Sequence, residues 1–174
     1  MPYSRAQLEA LVLDAATRYG IDAGIAYHQI QTESNFSPTA RSHAGAVGIA
    51  QFMPLTAADF GLTDRTDPVA SMEAWGKYMS MLLRMFNGDY AKALAGYNWG
   101  QRRVQDAAKA YGDAWLSTAP KETRDYVNRI MSRAGGGGSA DPFDPFDFGT
   151  APADPAILAA VAVGIIALVW MVAR

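Results

Sequence analysis

The run GGGGSADPFDPFDFGTAPADP, which begins at Gly135, restricts the architecture more than any other part of the chain. Four consecutive glycines and then repeated Asp-Pro and Asp-Phe pairs cannot bury enough apolar surface to offset the entropy of ordering them, so residues 134–155 read as a flexible acidic linker. Whatever folds must do so within residues 1–133, a length suited to one domain with a real core. Beyond the linker, residues 156–173 (AILAAVAVGIIALVWMVA) carry no charge. As a helix they would be about 27 Å long, close to the thickness of a thin hydrocarbon core, and they are expected to form one C-terminal transmembrane helix with Trp170 at an interfacial level. The two DPF repeats have a docking-motif reading, but a spacer with incidental aromatics is the simpler account.

Within residues 1–133 the periodicity is helical throughout. Ser4 with Gln7 has the form of a capping box, and Leu8, Leu11, Val12, Ala15, Ala16 and Tyr19 recur at helical spacing before Gly20. A second helix opens at Asp22, carries Ile25, Ala26 and Ile30 on one side, and leaves Glu33 near its end before Pro38. Asp67-Pro68 predicts an N-cap with proline at the first helical position. Met72, Trp75, Met79, Leu82 and Phe86 then follow in steps of three and four, which is the signature of a buried helix face. Shorter helices are predicted over DYAKALAGYNWG, QRRVQDAAKAYG and KETRDYVNRIMSR, with Tyr126, Val127, Ile130 and Met131 sharing a face of the last. No stretch alternates with period two, so strands are not expected and the fold class is mainly α.

Charge and composition remove several classes of function. Residues 1–133 hold 14 Lys and Arg against 13 Asp and Glu, so the basic excess of a nucleic-acid binder is missing. The chain has no Cys and only two His, His28 and His43, which excludes thiolate chemistry and leaves too few imidazoles for a His-rich metal site. No metal or organic cofactor is expected. His28 reads as a partly buried helix residue without a role. The N-terminus lacks the basic start and long apolar run of a secretory signal, so export by that route is not expected.

Chemistry concentrates in ESNFSPTARSHAGAVGIAQFMP, residues 33–54. A carboxylic acid there could protonate a leaving oxygen, but two-carboxylate glycoside cleavage needs a partner. Asp59, Asp64 and Asp67 have the neighbours of turn and cap residues. Single-acid chemistry, with the nucleophile supplied by the substrate, is the more natural expectation. Such an acid should have a raised pKa, and Phe52, Met53 and Tyr97 are candidates for the apolar wall that would raise it.

The same segment resembles the signature of the soluble lytic transglycosylases, relatives of goose-type lysozyme. The shared pattern is Glu-Ser, then Phe-x-Pro-x-Ala-x-Ser, then Gly-Ala-x-Gly-hydrophobic-x-Gln-x-Met-Pro-x-Thr-Ala. Two further blocks occur in the family's order, ALAGYNWGQRRV and ETRDYVNRI, so the resemblance runs from Glu33 to Ile130. It implies a lysozyme-like helical domain with a groove. It also implies cleavage of peptidoglycan glycan strands between muramic acid and glucosamine without water. Glu33 would act first as acid, and then as base on the muramyl primary hydroxyl that closes an anhydro ring. Carried over position by position, the resemblance places Ser42 and Gln51 beside the substrate, Tyr97 and Asn98 along the groove, and Glu122 with Tyr126 completing it from the last helix. Gly45 and Gly48 are expected to let backbone approach a bulky sugar and to permit positive φ. Two departures bear on glycan preference: Ile49-Ala50 stands where the family often has Leu-Met, and Trp99 lies between Asn98 and Gly100.

Three alternatives remain at this point: a hydrolytic lysozyme on the same scaffold, a wall-remodelling enzyme of a bacterial envelope machine, and a non-catalytic glycan-binding membrane protein. The expected location is membrane-anchored through the C-terminal span. A virion membrane is favoured over a bacterial inner membrane, with virion or envelope proteins as possible partners. Arg174 weakly favours a cytoplasmic C-terminus.

Overall fold

The computed structural model describes residues 3–135. Among the described residues there are eight α-helices: α1 (Arg5–Tyr19), α2 (Ala23–Ser34), α3 (Pro54–Asp59), α4 (Pro68–Met85), α5 (Tyr90–Ala95), α6 (Gln101–Tyr111), α7 (Trp115–Thr118) and α8 (Lys121–Ala134). A π-helical turn, Gly96–Gly100, joins α5 to α6, and a 3₁₀ turn, Gly112–Ala114, precedes α7. Among the described residues, β-pairing is confined to isolated bridges from Val47 to Arg41 and to Phe52, and no helix is long and apolar enough to cross a membrane. The linker and the span expected over 134–155 and 156–173 fall outside the described residues, apart from Ala134 and Gly135 at the close of α8.

Local chemistry sets most helix ends. Ser4 and Gln7 form the full reciprocal capping box at α1, and Gly20 closes that helix at φ 64°. Asp22 caps α2 through Ile25 N, and Asp67 caps α4 through Val69 N and Ala70 N ahead of Pro68. Helix α3 lies inside what reads as loop in the sequence, and Pro54 at its first position is the local cause.

The core is built as the helical periodicity predicts. Met72, Trp75, Met79 and Leu82 of α4 are buried beside Val12 and Ala16 of α1 and Ile30 of α2. Gly76 lets α1 and α4 approach, since a Cβ there would stand 2.1 Å from the Tyr19 ring. Helix α2 packs against both α1 and α8, while α5 lies between α4 and α8. This brings the end of α2 to α8 across a long stretch of sequence. On the face of α8 shared by Tyr126, Val127, Ile130 and Met131, the first three are buried and Met131 is exposed. The buried stripe of α8 is narrower than the sequence suggests.

Candidate active site

Helix α2 stops one residue after Glu33. Asn35 takes the left-handed conformation at φ 51° and Phe36 follows at φ 60°, so the chain turns sharply away from the helix axis. Phe36 is buried against Tyr27, and that packing offsets the strain of a non-glycine residue in this region. Ser34 then secures the loop: its hydroxyl donates to Ile49 O at 2.6 Å and accepts from Ser37 N. The residue after the acid therefore fastens the far side of the loop to the helix that carries the acid.

Glu33 itself is half-buried. Tyr126 of α8 donates its hydroxyl proton to Glu33 Oε1 at 2.6 Å, joining residues 93 positions apart. Desolvation dominates the carboxyl, and although the Tyr126 bond pulls the other way, the pKa is pushed up to about 7. No basic side chain or second carboxylate acts on it among the described residues. A half-buried acid of this kind keeps a proton near neutrality and still presents some surface to a substrate.

Tyr97 is carried by the π turn, and its hydroxyl donates to Ala50 O at 2.7 Å, while burial first and the Glu33 charge second push its own pKa up. Its ring packs on Tyr78 at 5.0 Å and against Phe52 at 6.1 Å, so an aromatic layer supports the loop from behind. Phe52 lies within that aromatic layer, and the Glu33 charge acts on Tyr97. Met53, a candidate for the apolar wall with these two, is exposed at the N-cap of α3.

The remaining expected residues are placed as follows. Gln51, at φ 50°, donates through Nε2 to Gly48 O and Ala40 O, so the amide nitrogen serves the loop. Ser42 is exposed and its hydroxyl accepts from Ala46 N, a turn-capping duty. Asn98 is exposed and accepts from Thr123 of α8 at 2.9 Å, which ties the π turn to α8. Glu122 is exposed in the first turn of α8, one helical turn before Tyr126. Trp99 is partly buried against the core. Gly48 is required, but for a reason other than sugar approach: at φ 88° a Cβ would stand 1.7 Å from Arg65 O, so the close contact is with the protein's own backbone. Gly45 has open space around it at φ 92°, and only its positive φ asks for glycine.

Several contributors carry no motif signal. Arg65 holds the loop from below by donating to Gly45 O and Phe52 O. Gln29 and Trp75 are both fully buried and hydrogen-bonded to each other; Trp75 reads in sequence as core, and Gln29 carries no pattern. Their partners are dozens of residues away, so no local pattern could reveal them. Among the described residues, no three His, Cys, Asp or Glu side chains converge as a metal site would need.

Comparison with known proteins bears on this arrangement. The transglycosylase SLT domain family matches residues 10–116. The chain belongs to that family. It is 39% identical over 112 residues to the membrane-bound lytic murein transglycosylase D of Escherichia coli K12, covering 58% of this chain and 25% of that one. It is 31% identical over 134 residues to the peptidoglycan transglycosylase gp16 of Escherichia phage T7, covering 72% of this chain and 10% of that one. In structure it is similar to the lytic transglycosylase Slt of Pseudomonas aeruginosa, solved as an inactive glutamate-to-glutamine mutant. That likeness has a TM-score of 0.63 at 30% identity, covers 72% of this chain and 23% of the other, and makes the fold the lysozyme-like helical one of this family. The chain spans a quarter or less of the length of each of these proteins.

Proposed function

We propose that the chain is a peptidoglycan lytic transglycosylase that cleaves the bond between muramic acid and glucosamine and leaves an anhydromuramyl end. The observation that carries this reading is the Glu33 carboxyl, half-buried, pushed up to about 7, and acted on by no second carboxylate among the described residues. Glu33 has its proton available on the oxygen that Tyr126 leaves unoccupied, and donates it to the bridging oxygen as the bond breaks. The resulting carboxylate, stabilised by the Tyr126 hydroxyl, then takes the proton of the muramyl primary hydroxyl as that oxygen attacks the anomeric carbon. The acid is regenerated and no water is consumed. The names of the E. coli and T7 relatives support this substrate and chemistry.

In the proposed site the aromatic wall of Tyr97 faces the sugar beside the acid. Gln51 offers its amide oxygen, Asn98 its amide nitrogen, and Ser42 and Glu122 extend polar contacts along the groove. Residues 134–155 tether this domain to a single span over residues 156–173, and the setting we favour is a virion membrane, where the enzyme opens the wall locally during genome delivery. The T7 relative supports a phage origin for such an enzyme.

Digestion of purified peptidoglycan by the full chain, followed by mass analysis of the new ends, tests the reaction. Anhydromuramyl ends without incorporation of solvent oxygen are expected, whereas reducing muramic ends would establish a hydrolytic lysozyme instead. The location is tested by assaying purified virions and cell envelopes separately. Presence in envelopes and absence from virus particles would reverse the preference.

A further inference from the structure

The hydrogen-bonded chain that ends at Glu33 starts deeper in the core. Trp75 Nε1 of α4 donates to Gln29 Oε1 of α2 at 3.2 Å, and both residues are fully buried. An indole nitrogen only donates, so the Gln29 amide must turn its oxygen to Trp75 and its NH2 away. Gln29 precedes Glu33 by one helical turn, which places both on the same face of α2, the helix that packs against α8. The group on α8 that feels this amide is the Tyr126 hydroxyl. Gln29 Nε2 completes no hydrogen bond in the resting geometry. A buried donor without an acceptor is disfavoured, so this amide has reason to address the Tyr126 oxygen.

We propose that Gln29, clamped by Trp75, is a positioning residue that directs the Tyr126 hydroxyl proton toward Glu33. An NH2 facing a hydroxyl can only donate, so it addresses a lone pair of the Tyr126 oxygen and leaves the O–H to point elsewhere. Glu33 Oε1, at 2.6 Å, is the acceptor it meets. Were the amide reversed, its oxygen would compete for the same proton, and Glu33 would lose its one hydrogen-bond donor. Trp75 prevents that reversal from a distance. Among the described residues, the titratable groups that act on or feel Glu33 are Tyr126 on α8 and Tyr97 on the π turn, so the polarity of the Tyr126 bond is the adjustable factor in when the carboxyl ionises.

This inference rests on the role proposed for Glu33, and its test separates the two. In the full chain, Gln29→Leu, Tyr126→Phe and the double variant are compared by the alkaline limb of kcat/KM on peptidoglycan and by the Glu33 carboxyl midpoint from carbon-13 NMR. Loosening the Tyr126 bond removes a stabiliser of the carboxylate, so Gln29→Leu should move both midpoints up by about half a pH unit or more. It should also lower kcat by roughly threefold to tenfold, with KM within about twofold. In the Tyr126→Phe background the same substitution should add nothing, because the two act in series. Gln29→Glu, which keeps an acceptor for Trp75 but turns a second one toward Tyr126, should shift the midpoint further than Gln29→Leu. If Gln29→Leu does not fold, Trp75→Phe, which frees the amide to turn over, gives the same reading. A folded variant with an unmoved midpoint, or a shift that persists in full without the Tyr126 hydroxyl, overturns the proposal. Absence of anhydromuramyl ends from the unmodified protein would instead sink the proposed reaction, and the NMR midpoints would still decide the part played by Gln29.

Discussion

Glu33 at the end of α2 and Glu73 in the seam between α1 and α4 carry the same side chain in opposite surroundings. Glu73 accepts from the Tyr19 hydroxyl and from Arg18, and pairs with Lys77 at 3.3 Å, and these donors hold its pKa at about 2. Glu33 has a single neutral donor against its desolvation and sits at about 7. A tyrosine hydroxyl touches both carboxyls, so the tyrosine does not decide the outcome. Access to water and the presence of cations do. One region uses its glutamate as a clasp between helices; the other holds a half-buried carboxyl that keeps its proton up to about 7.

The largest effect that could break this contrast is on turnover. Glu33→Gln should reduce anhydromuramyl release by about a thousandfold or more, the scale of a lost general acid and base, while Glu73→Gln should leave kcat within about twofold. Comparable losses at both positions would mean that the site is misassigned. Next comes stability, with opposite signs. Glu33 has a folded pKa above its unfolded one, so the folded state binds the extra proton and loses stability as pH rises from 4.5 to about 7. Glu33→Gln should therefore melt higher than the parent above pH 7, by up to about 3 kcal/mol in denaturant titration, and lose that advantage near pH 4. A destabilised Glu33→Gln protein at pH 8 would show that the carboxyl is not held against its preference.

A smaller effect is expected in the pH profile. Turnover should fall about tenfold per pH unit above roughly 7, with Tyr126→Phe moving that limb upward. An alkaline limb that stays in place without the Tyr126 hydroxyl would show that the bond to Glu33 Oε1 does not tune the acid. The smallest effect concerns the clasp. Glu73 is depressed in the folded state, so its contribution is present above pH 4.5 and is lost as pH falls toward 2. Because its side chain is 38% exposed, water and salt screen it, and Glu73→Gln should cost only about 1 kcal/mol, less in high salt. A loss of several kcal/mol would indicate that the α1–α4 seam depends on charge more than on the packing of Tyr19 over Gly76.

What could be read in advance divides along the reach of the interactions. The Ser4 box, the Asp22 and Asp67 caps and the buried stripe of α4 depend on neighbours three or four residues away, and each stands where its pattern places it. The ordered blocks likewise point to Glu33, Tyr97 and Tyr126, which do converge. Helix α3 was hidden because its six residues are too few to show a period. The π turn was hidden because GYNWG fits an α-helix equally well until Tyr97 is required to reach Ala50. The partners of Gln29 and the reason for Gly48 lie across the fold, at Trp75 and Arg65, where only assembled packing can define them.

The bulge at Gly96–Gly100 sets a constraint of its own. A π turn accommodates one more residue than the α-helical path would, and it stands between the α5 that packs on α8 and the α6 that follows. Loss of one codon from this stretch would restore an ordinary helix but rotate every later residue of α6 by about a hundred degrees, unseating Val104 from the interior and withdrawing Tyr97 from the loop. Chain length should therefore be fixed at this point in any descendant that keeps the groove, while the exposed turn at Gly112–Ala114 is free to lengthen or shorten.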